Sequence, residues 1–185
     1  MLLFGKPSVP SLKTFLTEFY HDDHGLITTR VVVLHPEEPS QELVELLDDF
    51  EYCQYIKGSP MVEIHLIKSH ASAATAVFMM CNPAVKDSYL SDLDTLLSFN
   101  SVKAHKSKNL EQGACLDDKP IYLQLLTKRA ADLKTTAAER TICQENLRLG
   151  ILARSVGCPG FSTMISNLVQ SAGRCCVEHM SGCRH

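Results

Sequence analysis

MLLFGKPSVPSLKTFLTEFY, residues 1–20, decides the fold. Met1 to Phe4 is an apolar stub that runs straight into Gly5 and reads as a strand whose beginning is cut off. Leu12, Phe15, Leu16, Phe19 and Tyr20 then recur at the spacing of one face of a helix. Strand, glycine turn and helix are the opening of a βαβ unit. The pattern repeats downstream. Arg30 to Leu34 is β-branched and reads as a strand buried on both sides, as in a parallel sheet. Leu43, Leu46, Leu47 and Phe50 mark a helix, and Tyr52 to Ile56 a third strand stopped by Gly58 and Pro60. Residues 61–67 suit a strand through Val62, Ile64 and Leu66, and a short helix through Met61, Ile64 and Ile67. Ala76 to Met80 is a fourth strand, and Tyr89, Leu90, Leu93, Leu96 and Leu97 a following helix. Asn100 to Lys119 is polar without an apolar period and reads as a surface loop, with Lys103, Lys106 and Lys108 a solvated face. Ile121 to Leu126 closes the series as a fifth strand. Alternation of this kind predicts an α/β protein, a Rossmann-like parallel sheet with helices on both faces.

The last third is of a different kind. Glu139 to Val156 carries Ile142, Leu149, Leu152 and Val156 on one side of a helix and Cys143, Leu147 and Ile151 on another, and apolar residues on two sides need two surfaces to bury against. Phe161, Met164, Ile165, Leu168 and Val169 form a single face of a second helix. Between them, Gly157 suits the left-handed residue that ends a helix, and Pro159 prevents continuation. The division expected is a lobe over 1–138, a crossover helix-turn-helix that serves as a dimerisation unit over 139–172, and a disordered tail over 173–185.

Composition narrows the function. The chain has 185 residues, 45% of them hydrophobic, and a formal charge of -3, so it can bury a core and offers no basic face for nucleic acid. Its eight cysteines are scattered and read as reduced thiols of a cytosolic protein. No apolar run approaches the ~20 residues of a membrane helix.

A dinucleotide fingerprint would place glycines at positions 5, 7 and 10, where this chain has Gly5, Pro7 and Pro10. Proline neither lets backbone approach a pyrophosphate nor donates an N–H to it. The acidic residue that would grip a ribose is absent too, since Leu34 leads to His35 and Pro36. No serine elbow, HExxH, phosphate loop or CxxC pair replaces the fingerprint. The reading is therefore no catalytic residues and no enzyme. Glu18, Asp22 and Asp23, with His21 and His24, cluster where the first helix ends. Carboxylates there face the negative end of the helix dipole, which suits either a bound cation or a polar turn compensated by the two histidines. Hard cations want roughly six oxygens, which favours the polar turn. The tail from Cys175 to His185 has thiols and imidazoles at spacings that match no zinc module.

ICQENLRLGILARSVGCPGFSTMISNLVQSAG, Ile142 to Gly173, resembles the helix-turn-helix after the first nucleotide-fold lobe of the Slo family, large-conductance potassium channels gated by calcium or sodium. FLTEFYHDD (Phe15 to Asp23), RVVVLHPEEPS (Arg30 to Ser40), QYIKGS (Gln54 to Ser59) and PIYLQLL (Pro120 to Leu126) resemble further segments of the same cytosolic domain, in the same order. The resemblance implies a regulator of potassium conductance, or RCK domain. It implies other RCK domains of the same channel as partners in a homotetrameric gating ring, linked to a transmembrane pore domain at the cytoplasmic face of a membrane. It also implies no cofactor beyond calcium or sodium as gating ligand. Asp23 matches an acidic calcium ligand of calcium-gated members, whereas Arg30 and Gln54 stand where those members carry magnesium-binding glutamates. FLTEFY and GCPGFST lean towards the sodium-activated branch. The chain reads as a fragment or truncated gene model. The resemblance makes Leu147, Leu149, Ile151, Leu152, Val156, Phe161, Met164, Ile165, Leu168 and Val169 the expected subunit interface, and Asp23, Asp22 and Glu18 a partial metal site. The alternatives are a degenerate oxidoreductase binding near Gly5 and Ser8, or a separate regulatory subunit of a potassium uptake system.

Overall fold

Six short strands run parallel in the order β3-β2-β1-β4-β5-β6. They are β1 (Leu2–Gly5), β2 (Val31–His35), β3 (Cys53–Lys57), β4 (Val77–Met80), β5 (Ile121–Leu125) and β6 (Arg140–Cys143). The computed structural model describes residues 1–25, 27–83, 85–111, 120–133 and 140–170. The tail reading falls outside these residues.

Alternation along the strands builds two cores. Leu3, Val31 and Val33 face α1 (Val9–Phe19) and α2 (Gln41–Asp48), where Leu12, Leu16, Leu46 and Leu47 cover them. Leu2, Phe4, Leu34, Met79, Leu123 and Leu125 face the other way, under Leu66 of α3 (Glu63–Lys68) and Phe99 and Val102 of α4 (Ser88–Glu111). Ala131 of α5 (Lys128–Asp132) packs against this second core. Because parallel strands need crossover connections, helices fall on both faces, as the sequence pattern predicts.

One open reading is settled and three change. Residues 63–68 are helical, yet Leu66 is the buried residue while Ile64 and Ile67 are exposed. The stretch from Asn100 to Glu111 is not a loop but the second half of α4; residues 112–119 of that reading lie outside the described set. Phe99, Val102 and His105, three apart, form a narrow buried seam, while Lys103 and Lys106 are half-buried and Lys108 is exposed. Residues 140–143 are a strand and not the start of a helix. Thr141 and Cys143 lie opposite Leu123 and Leu125, and the Arg140 guanidinium donates to the Tyr122 hydroxyl at 2.7 Å, which fastens the edge. The packed lobe thus extends to Cys143. Lastly, the left-handed glycine between the last two helices is Gly160 (φ 85°), and Gly157 is an ordinary helical residue.

Candidate functional site

Beyond β6 the chain leaves the sheet as α6 (Gln144–Gly157), turns, and returns as α7 (Phe161–Val169). The turn is closed by its own backbone: Cys158 N–H donates to Arg154 C=O at 3.0 Å and Phe161 N–H to Cys158 C=O at 3.1 Å. Gly160 at its left-handed φ then starts α7, and its carbonyl accepts from Met164 N–H at 2.9 Å. Ile151 and Ser155 of α6 and Phe161 and Ile165 of α7 are half-buried, and the Arg154 guanidinium lies over the Phe161 ring.

No residue of either helix is buried. Leu152 is 64% exposed, Val156 88% and Leu168 75%, and Leu147, Leu149, Met164 and Val169 are at least half exposed. Seven of the ten expected interface residues thus stay open, while Ile151, Phe161 and Ile165 are half-buried. Covering the seven most exposed would recover about 1 to 2 kcal/mol each. That is on the order of 10 kcal/mol per copy and twice that for a symmetric pair, against roughly 4 to 15 kcal/mol lost on association. Exposed apolar side chains gathered on one helix pair in this way are what an interaction surface presents.

The base of the pair is polar. Glu145 N–H donates to Leu126 C=O at 3.1 Å, and the Glu145 carboxylate accepts from Lys128 N–H at 2.6 Å. From the opposite side Asp92 of α4, wholly buried, accepts from Leu126 N–H and Thr127 N–H, each at 2.8 Å, from the Thr127 hydroxyl at 2.7 Å and from the Cys81 thiol at 3.3 Å. Sequence reasoning missed Asp92 and Glu145. A lone aspartate inside an apolar helical stripe was the available signal.

The acidic turn does not assemble into a cation site. Asp22–His24 is a single 3₁₀ turn in which His21 Nδ1 accepts from Asp23 N–H at 3.2 Å and lies 3.4 Å from the Asp23 carboxylate. His24 Nε2 sits 3.6 Å from Glu18. Asp22 instead borders a cleft of about 360 Å³ with Tyr20, Asp49 and Glu51. Among the described residues no three His, Cys, Asp or Glu side chains form a group able to hold a metal. Asp23, Asp22 and Glu18 are therefore not brought together: Asp23 and Glu18 each lie beside a histidine, and Asp22 faces the cleft.

A larger cleft, about 800 Å³, opens at the carboxyl ends of β1 and β4, the switch point where a nucleotide binds in a Rossmann protein. Three features of the chain at or near it differ from a phosphate cradle. Ser8 caps α1 with its own hydroxyl, accepting from Ser11 N–H at 3.3 Å, and Pro10 removes a first-turn donor. Lys6 is paired with Glu37 at 3.1 Å. Gly5 is required by the sheet itself, since a Cβ there would lie 1.9 Å from Met80 C=O.

Comparison with known proteins agrees with this architecture. The family model of the calcium-activated potassium channel slowpoke-like RCK domain matches residues 1–136, and that of the calcium-activated BK potassium channel alpha subunit matches residues 139–181. The chain is similar to potassium channel subfamily U member 1 of Homo sapiens, 27% identical over 170 residues that make up 91% of this chain and 14% of that protein. It is likewise 27% identical over 176 residues to the calcium-activated potassium channel slowpoke of Drosophila melanogaster, covering 91% of this chain and 14% of the relative. The chain thus spans about a seventh of the length of these relatives. The structure of the human SLO3 gating ring shares the fold, with a TM-score of 0.69 at 20% identity over 94% of this chain and 29% of that one. Among the described residues no helix is long and apolar enough to cross a membrane.

Proposed function

Since the chain belongs to the slowpoke-like RCK domain family of calcium-activated potassium channels, we propose that it is a non-catalytic regulatory domain of a ligand-activated potassium channel. It works by associating with other RCK domains of the channel in a homotetrameric gating ring at the cytoplasmic face of a membrane. In this reading the lobe over residues 1–138, continued by β6, is a lever, and the helix pair within 139–172 is the clasp that joins it to the next copy. The ring couples an intracellular cation, calcium or sodium, to opening of a pore domain. Ligand does this work only through its different affinity for two arrangements of the ring.

The observation that carries the reading is the projecting helix pair, which buries no residue in its own chain and presents apolar side chains on both helices. The self-capped α1 and the paired Lys6 at the nucleotide cleft support a role without cofactor chemistry. Sedimentation velocity tests it. The wild-type chain is expected to self-associate with rising concentration, and the double variant Leu152→Asp, Leu168→Asp to sediment as a folded monomer. Identical monomeric sedimentation of both proteins would overturn the reading.

A further inference from the structure

The direction in which α6 leaves the lobe is not set by packing. It has no buried residue, and beyond its first turn a cleft of about 500 Å³ separates Arg148, Leu149 and Leu152 from Ser88 and Thr127 of the lobe. Among the described residues, Glu145 joins α6 to the lobe, besides chain continuity with β6. Its N–H and carboxylate grip Leu126 C=O and Lys128 N–H, two sides of the corner between β5 and α5. Lys128 is the first residue of α5, so the carboxylate also meets the positive end of that helix and makes a charge-assisted bond. The corner cannot follow α6 if it swings, because Asp92 holds Leu126 N–H and Thr127 N–H from α4. A swing of α6 must therefore break the Glu145 bonds.

We infer that Glu145 is the positioning residue that fixes the angle of the helix pair against the lobe. The consequence rests on the function proposed above: in a ring joined through α6 and α7, that angle sets how each lobe is held relative to the next copy. Glu145 then selects among ring arrangements through that angle.

The test is a distance distribution by electron spin resonance between labels carried on non-canonical residues at Lys13 of α1 and Ser162 of α7, with labelled chain diluted into unlabelled chain. The wild type is expected to give one narrow maximum. Glu145→Gln, whose amide oxygen can still accept from Lys128 N–H, should keep it. Glu145→Ala and Glu145→Lys should broaden the distribution and lose the single maximum, with the urea midpoint of the lobe unmoved. A distribution in both variants as narrow as the wild type would overturn the inference, as would broadening that follows only from loss of the folded lobe. Sedimentation of the unlabelled wild type separates the two readings. A monomeric wild type contradicts the clasp alone, while the distance shift still judges Glu145.

Discussion

Asp92, with no solvent exposure, receives both the backbone N–H and the hydroxyl of Thr127, at 2.8 and 2.7 Å. This pair joins the middle helix of one face to the corner from which the last strand and the helix pair are reached. Asp92→Ala leaves the Leu126 and Thr127 amides buried without acceptors, and should cost about 3 kcal/mol or more of unfolding free energy. Asp92→Asn keeps one acceptor oxygen and should cost less. Urea denaturation of the two variants measures the order, and equal stability of Asp92→Ala and wild type would remove the role assigned to this carboxylate.

Gly5 holds the closest approach in the sheet, at φ 118° and with Met80 C=O where a side chain would stand. Gly5→Ala should separate β1 from β4 and destabilise by more than about 3 kcal/mol, without any nucleotide in solution. Circular dichroism during thermal unfolding reports it. A normal melting temperature would mean that the two strands can part at little cost.

His35 Nδ1 accepts from Glu37 N–H at 3.1 Å, so the folded state uses the neutral ring. Burial pulls its pKa below the ordinary 6.5, against an opposing pull from the Glu37 charge. In the window between the folded value and 6.5 the unfolded chain holds the proton and the folded chain does not, so stability rises with pH there and is lost on acidification. Glu37, held low by its pairing with Lys6, adds a second loss at more acid pH. His35→Asn, which offers an acceptor that does not titrate, should flatten the dependence of melting temperature on pH in the window just below 6.5. An unchanged slope would place the effect on other histidines.

Thiol chemistry should distinguish two cysteines. Cys81 is buried, its single thiol hydrogen shared between Gln124 C=O at 3.0 Å and the Asp92 carboxylate at 3.3 Å, and it is pushed up to about 12 by desolvation, aided by the neighbouring Asp92 charge. Cys158 is exposed at the turn between α6 and α7. Iodoacetamide at neutral pH should modify Cys158 in the native protein and leave Cys81 intact until the lobe unfolds. Peptide mass spectrometry reads the order directly.

Five strands were legible as short apolar runs bounded by polar residues or turns, and the helices from Leu12, Leu43 and Tyr89 because their apolar residues repeat at a period of 3.6. β6 was not. Arg140 to Cys143 is four residues long, and Ile142 and Cys143 fit the stripe of the helix that follows as well as they fit a strand. The second half of α4 was hidden by its lysines, because only every third residue there touches the sheet. The exposed stripes of α6 and α7 were readable from Leu149, Leu152, Val156, Met164 and Leu168, since two apolar sides on one helix demand two partners. The fastening at Asp92 and Glu145 was not readable, because it depends on where a distant corner of the chain presents its amides.

Hydroxyl-radical footprinting over a concentration series tests the central claim most directly, because it reports which side chains are covered when copies meet. The account predicts that Leu149, Leu152, Met164 and Leu168 lose reactivity together as the protein is concentrated, and regain it in Leu152→Asp, Leu168→Asp. Undiminished reactivity of these four side chains at every concentration, or self-association that protects only the lobe, would contradict it.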